Sequence, residues 1–176
     1  NFFSFDRLLK AVDLHVHTNH SIVMQLGVSR YVPANSNYFD YKDKKSIINL
    51  IQECDLVITH GGFGTMMDAV DLGKKIIAVP RKLEFGECLD NQEELVRYFD
   101  AKNYVVGCYD IGDLPDLVEK CLDDKICFSK YKPESDLKIC DLIEQKLIQM
   151  KLLLCKKNIH KNFVNMDVLY DQKRSK

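Results

Sequence analysis

The chain has 176 residues, 46% hydrophobic and 29% charged, with a net charge of −1. That is the composition of an ordinary globular protein; it excludes a disordered or fibrous chain and gives no electrostatic case for nucleic acid. Seven scattered cysteines (54, 88, 108, 121, 127, 140, 155) without a Cys-x-x-Cys pair argue against a disulfide framework or zinc cage, and for reduced thiols in the cytoplasm.

No signal-peptide pattern and no apolar run of membrane-spanning length is seen, so work at a membrane would need another component to hold the protein there. Ser4 is a candidate N-cap, and Phe5, Leu8, Leu9 and Val12 follow at helical spacing, which predicts a helix at the very start. A parallel sheet would begin with a strand, so a strand upstream of this helix is expected and the sequence is expected to start short of it. The segment Asp13-Leu14-His15-Val16-His17-Thr18-Asn19-His20-Ser21 resembles the opening motif of the polymerase-and-histidinol-phosphatase metal hydrolases. Imidazoles at i and i+2 of a strand share a face, but only His60 and His160 lie outside this stretch, and the chain is short for the barrel such enzymes use. A solvated helix end and loop is the expectation, with no metal site.

Ile22 to Gly27 reads as a buried strand, and Tyr38 to Tyr41 as a shorter one after a loop through Tyr31 and Pro33. Asp43 caps a helix with Ile47, Ile48, Leu50, Ile51 and Cys54 on its core face. Leu56 to Thr59 is then a short buried strand, His60-Gly61-Gly62-Phe63-Gly64 a glycine-rich turn, and Thr65 to Leu72 a helix closed by Gly73. Strand, glycine turn and helix make a phosphate-site geometry. Backbone N–H groups of Gly61, Gly62 and Gly64 approach an anion, the helix dipole favours it, Thr65 adds a hydroxyl, and Asp68 one turn on suits a ribose diol. An ordinary turn in an α/β domain is the alternative, since the pattern is neither Gly-x-Gly-x-x-Gly nor a Walker sequence.

Ile76 to Val79 is a continuous apolar run of the kind parallel strands need, ended by Pro80. Arg81 follows at the carboxyl end, where open α/β sheets bind ligands, so its guanidinium could meet a diphosphate; a surface arginine is the alternative. The loop 82–89 is long for a connector. Asp90 with Glu93 reads as a capping box for a helix through Phe99, which presents Asn91 and Gln92 as amides suited to hexose hydroxyls. Tyr104 to Cys108 is the next strand, and Asp113 with Pro115 opens a helix carrying Leu114, Leu117, Val118, Cys121 and Leu122. Alternating strands and helices of this length predict a doubly wound parallel sheet.

The run from His60 to Ala69, then Gly73 to Arg81, then Gly86-Glu87 and Asp90-Asn91-Gln92, resembles the C-terminal domain of family 28 glycosyltransferases over about residues 2–120. It is most similar to the soluble subunit of two-part bacterial exopolysaccharide transferases, and more distantly to the cytosolic subunit of the transferase that adds the second N-acetylglucosamine to dolichol-linked oligosaccharide. The resemblance implies the donor-binding, Rossmann-like half of a GT-B enzyme over 1–124. That half would move a hexose, with inversion, from a UDP-sugar to a lipid-linked acceptor, with no cofactor. It also implies a membrane-bound partner subunit that holds the acceptor, recruitment to the cytoplasmic face of the membrane, and sugar contacts from the loop before Gln92. Departures are the absent first strand and its Gly-Thr end, Asp68 where Glu is usual, and no His before Gln92. They leave room for a non-catalytic nucleotide- or partner-binding module. His60 is a tempting general base, though orienting the turn or contacting the donor fits it better; the base belongs on the acceptor side, and no residue here is assigned to it.

The last part, 125–176, is read as a helical extension and basic tail. Pro133 to Cys155 carries an apolar stripe of Leu137, Cys140, Ile143, Leu147, Met150 and Leu154, wide enough to pack across the domain or to dock on a partner or membrane. Residues 151–176 hold seven Lys/Arg against two acids, a net +5 that leaves −6 for the rest.

Overall fold

A computed structural model describes residues 3–16 and 20–131. The expected helix over 133–155, the basic tail and His17 lie outside these residues.

All five strands pair in parallel. β1 (Val23–Gln25) pairs with β2 (Asn37–Phe39), and β3 (Leu56–His60), β4 (Lys75–Val79) and β5 (Val106–Gly107) form a second sheet in that order. The single sheet expected from the sequence is therefore divided between β1 and β3, which exchange no ladder hydrogen bonds. Among the described residues five α-helices accompany the strands: α1 (Asp6–His15) precedes β1, α2 (Lys44–Glu53), α3 (Phe63–Asp71) and α4 (Glu93–Asp100) connect successive strands from β2 to β5, and α5 (Leu114–Leu122) follows β5. The alternation along β4 makes the fold doubly wound. Ile77 and Val79 pack with Leu8, Leu9 and Val12 of α1 and Val118 and Cys121 of α5. Ile76 and Ala78 face the other way, onto Met66, Ala69 and Val70 of α3 and Val96 and Phe99 of α4. With both faces covered, β4 needs an unbroken apolar run, which explains why its period-2 signal is missing from the sequence. The result is a Rossmann-like α/β domain.

Several ends differ from expectation for identifiable reasons. Phe5, not Ser4, is the N-cap residue of α1, because the Phe5 N–H is taken by the Ser29 hydroxyl at 3.0 Å. The helix after the glycine turn begins at Phe63, two residues early, on Gly62. It ends as expected: Gly73, at φ +65, donates to Val70 O, and Lys74 to Ala69 O, the paired bonds of a Schellman cap. The Asp90–Glu93 capping box does not form. Gln92 is the N-cap position of α4, and the Glu93 N–H is instead held by Asn91 Oδ1 at 3.0 Å. Asp43 caps α2 as expected, accepting from both the N–H and hydroxyl of Ser46.

Candidate functional site

β3 and β4 run in register from Leu56 opposite Lys75 to His60 opposite Val79, so the glycine turn and Arg81 emerge side by side at the carboxyl edge. The three glycines there have different tasks. A Cβ on Gly61 would stand 2.6 Å from Val96 Cγ2 and 3.1 Å from Gln92 Cβ; this glycine lets the start of α4 close on the end of β3. A Cβ on Gly62 would overlap the His60 ring, and the Gly62 N–H donates to His60 Nδ1 at 2.8 Å. Gly64 meets nothing within 4 Å. It lies in the first turn of α3, where Phe63, Gly64 and Thr65 have N–H groups without intrahelical acceptors and no side chain caps the end.

Substitution separates these tasks. Gly61→Ala is expected to destabilise the fold by about 1–3 kcal/mol through overpacking against α4. Gly64→Ala, in a helical position facing open space, is expected to stabilise it by about 0.5–1 kcal/mol while crowding an anion at the helix end. Chemical denaturation of both variants checks the pair; similar losses in both would remove the distinction.

His60 is held neutral. Burial, reinforced by the positive charge of Arg81, lowers its pKa from 6.5 to about 4, against a weaker opposing hydrogen bond with the Gln92 side chain. With Nδ1 accepting from Gly62, the ring orients the turn. A group that protonates near pH 4 is a weak general base at neutrality.

Arg81 is the unusual residue of the site. It is only 7% exposed, and its buried Nε has no hydrogen-bond partner. Among the described residues no carboxylate forms an ion pair with it; its guanidinium rests on the Phe5 ring, 5.0 Å from the centroid. Its backbone N–H donates to Gln92 Oε1 at 3.3 Å. The neighbouring Arg7 is the opposite case. Its Nε and Nη2 grip Glu87 Oε1 and Oε2 at 3.0 and 2.9 Å, and Nη2 also donates to Pro80 O. Glu87, itself buried, accepts from the Lys82 N–H as well, so one carboxylate ties the loop after β4 to α1.

The structure thus brings His60, Gly62, Arg81 and Gln92 together. Asp68 is one and a half turns into α3 and pairs with Lys44 at 3.1 Å, on the α2 side. Asp90 and Asn91 are exposed at the surface before α4. Phe5, Arg7 and Glu87 complete the site and were not singled out from sequence as site residues. Glu87 belongs to the quoted Gly86-Glu87 motif, but its partner lies 80 positions away.

The His-x-His segment has a different use. Asp13 turns inward as a structural carboxylate, while His15 ends α1 exposed. No group of three or more potential metal ligands occurs among the described residues.

Residues 7–146 match the family described as the glycosyltransferase family 28 C-terminal domain. The chain belongs to this family. A relative from Prochlorococcus marinus (strain MIT 9215), UDP-N-acetylglucosamine--N-acetylmuramyl-(pentapeptide) pyrophosphoryl-undecaprenol N-acetylglucosamine transferase, is 25% identical over 138 residues, covering 77% of this chain and 36% of that protein. The family 28 chain thus spans about a third of that relative's length. Among solved structures, the glycosyltransferase SnogD from Streptomyces nogalater aligns with a TM-score of 0.49 at 20% identity, over 65% of this chain and 30% of that one. No helix among the described residues of this family 28 domain is long and apolar enough to cross a membrane.

Proposed function

We propose that this family 28 domain is the donor-binding half of an inverting GT-B hexosyltransferase that takes its sugar from a UDP-sugar. The observation that carries the reading is that Arg81, a buried arginine with an unpaired Nε and no ion-paired carboxylate among the described residues, stands at the same carboxyl edge of the sheet as the uncapped first turn of α3. A buried cation without a counter-ion costs free energy, and a diphosphate supplies the missing charge. Arg81 and the N–H groups of Phe63, Gly64 and Thr65 would stabilise negative charge growing on the leaving diphosphate, the charge that transfer creates. Positive charge from these sources fits a mechanism without a resident cofactor or metal.

Asp68 is assigned to the ribose diol, exchanging its exposed contact with Lys44 for ligand hydroxyls. Asn91 and Gln92 are assigned to the hexose, and His60 to orienting the turn. The general base is assigned to a membrane-bound partner subunit that presents a lipid-linked acceptor at the cytoplasmic face. The name of the Prochlorococcus relative, with its UDP-N-acetylglucosamine and pyrophosphoryl-undecaprenol, supports both substrate classes. The pairing of Asp68 with Lys44 favours one rival, a partner-binding module that no longer uses the ribose subsite.

Differential scanning fluorimetry of the full chain against UDP, UDP-sugars, ADP and divalent metals tests the assignment. Native-state ligands raise the melting temperature by mass action. Metal-independent stabilisation by UDP, lost in Asp68→Ala, is expected; unchanged stabilisation in that variant would remove Asp68 from the site, and stabilisation by metals alone would overturn the reading.

A further inference from the structure

Three polar backbone groups follow β4 where its ladder ends: the Pro80 carbonyl and the N–H groups of Arg81 and Lys82. Each is met by a side chain. Arg7 Nη2 donates to Pro80 O at 3.1 Å, Gln92 Oε1 accepts from the Arg81 N–H at 3.3 Å, and Glu87 Oε2 accepts from the Lys82 N–H at 3.0 Å. The Glu87 N–H returns to the Lys82 carbonyl at 3.3 Å, which closes residues 82–87 into a ring. Both neighbours of Arg81 thus hang on the Arg7–Glu87 pair, whose side chains are 19% and 7% exposed.

A buried ion pair contributes little to stability compared with apolar side chains of similar volume, so stability alone does not account for this one. The balance of charge around Arg81 does. Two guanidiniums, of Arg7 and Arg81, share one carboxylate neighbourhood. Glu87 is bound to the N–H of the residue next to Arg81, near enough that its charge acts on Arg81 against the effect of burial. Yet it forms no ion pair with Arg81. Arg7 claims it fork to fork, Nε on Oε1 at 3.0 Å and Nη2 on Oε2 at 2.9 Å, a planar match that a lysine cannot make. The Arg7 guanidinium is itself fixed by two rings, Phe5 at 5.2 Å and Phe85 at 5.4 Å from their centroids. One arginine is therefore held on the carboxylate, and the other is left with none.

We propose that Arg7 is a positioning residue that keeps the Glu87 carboxylate off Arg81, so that Arg81 stays unpaired for an anion. The inference rests on the donor-half reading and deepens it: the diphosphate site is guarded against a carboxylate of its own chain. Without Arg7, Glu87 turns to Arg81 and neutralises the charge that a diphosphate would meet.

Isothermal titration calorimetry of the full chain with UDP, beside thermal unfolding without ligand, tests this in four variants. Arg7→Met is expected to weaken UDP binding about tenfold or more. Adding Glu87→Gln to Arg7→Met is expected to bring the affinity back to within about threefold of the wild type, since an amide has no charge to offer Arg81. Arg7→Lys, which keeps the charge and loses the fork, is expected to bind UDP more weakly than the wild type. Glu87→Gln alone is expected to melt lower, having lost charge-assisted bonds to Arg7, and still to bind UDP at least as tightly as the wild type.

A pair that serves packing alone gives another pattern: affinity follows melting temperature, the double variant binds no better than Arg7→Met, and Glu87→Gln weakens UDP. Either of the last two results overturns the proposal. So does an Arg7→Lys equal to the wild type, which would reduce Arg7 to a charge acting through space. If Arg7→Met does not fold, Glu87→Gln and Arg7→Lys decide by the same criteria. All of these outcomes spare the donor half as long as the wild type binds UDP. A wild-type chain that binds neither UDP nor any UDP-sugar overturns the donor half, and the role of Arg7 with it.

Discussion

Arg81→Met is expected to bind UDP about a hundredfold more weakly than the wild type while unfolding at a temperature equal to or higher than the wild type's. The two halves of this prediction have one cause. Arg81 is a buried residue whose Nε is unpaired and whose guanidinium rests on the Phe5 ring with no ion-paired carboxylate among the described residues. A buried charge without a hydrogen-bonded counter-charge destabilises the folded state, and replacing it by an apolar side chain of similar reach is neutral or stabilising by about 1–4 kcal/mol. Burial already pulls its pKa below the usual arginine value, with Glu87 acting in the opposite direction. Glu87 does not depend on Arg81 for satisfaction, because Arg7 and the Lys82 N–H occupy both of its oxygens. The bound state reverses the balance: a charge-assisted contact to phosphate contributes about 2–3 kcal/mol, some thirty- to a hundredfold or more in affinity. Calorimetry for UDP and thermal unfolding without ligand read the two halves separately. A destabilised Arg81→Met that still binds UDP would mean that Arg81 serves packing and not the ligand.

The contrast between Arg7 and Arg81 also shows which features the sequence carries. β3 and β4 were legible as short apolar runs, and α2 from Asp43, because strand burial and side-chain caps are encoded within a few neighbouring residues. The site was legible where it follows from strand ends: His60, the glycine turn and Arg81 fall at the carboxyl edge of adjacent parallel strands. It was not legible where it depends on pairs distant in sequence. Gly61 reads as a phosphate glycine until Val96, 35 residues later, is found against it. The capping box at Asp90 failed because the Asn91 amide competes for the same N–H. The division between β1 and β3 has no local signature either, since ladder pairing is decided by neighbours and not by strand propensity.

The segment that most resembles a metal motif supplies the second large effect: Asp13→Ala is expected to lower stability by about 3–5 kcal/mol, a fall of some 10 °C or more in melting temperature. Asp13 is fully buried. Its Oδ2 accepts from the Tyr31 hydroxyl at 2.7 Å and the Ala34 N–H at 2.9 Å, and its Oδ1 from the Asn35 N–H and the Ser36 hydroxyl at 3.0 Å. The Asn35 side chain also donates to the Asp13 carbonyl. One carboxylate thereby fastens the connection between β1 and β2 to α1, and deleting it removes the shared acceptor of four part-buried hydrogen bonds. Burial raises the pKa of this carboxyl, but the donors from Ala34, Tyr31, Asn35 and Ser36 overcome that and hold it at about 2, below the ordinary 3.8. A depressed folded-state pKa means that the unfolded chain takes up the proton first. This stabilisation is therefore complete above about pH 4 and is lost as the pH falls toward 2. His60 acts in a higher window with the same sign. Its folded pKa of about 4 lies below the ordinary 6.5, so the unfolded state binds its proton first and stability declines from about pH 6.5 down to 4. Denaturation across pH 2 to 8 should then show two declines on acidification. Replacing His60 by Gln should remove the upper one. Asp13→Asn should remove the lower one while leaving the upper in place, and persistence of the lower decline in Asp13→Asn would mean that another carboxylate holds the β1–β2 connection.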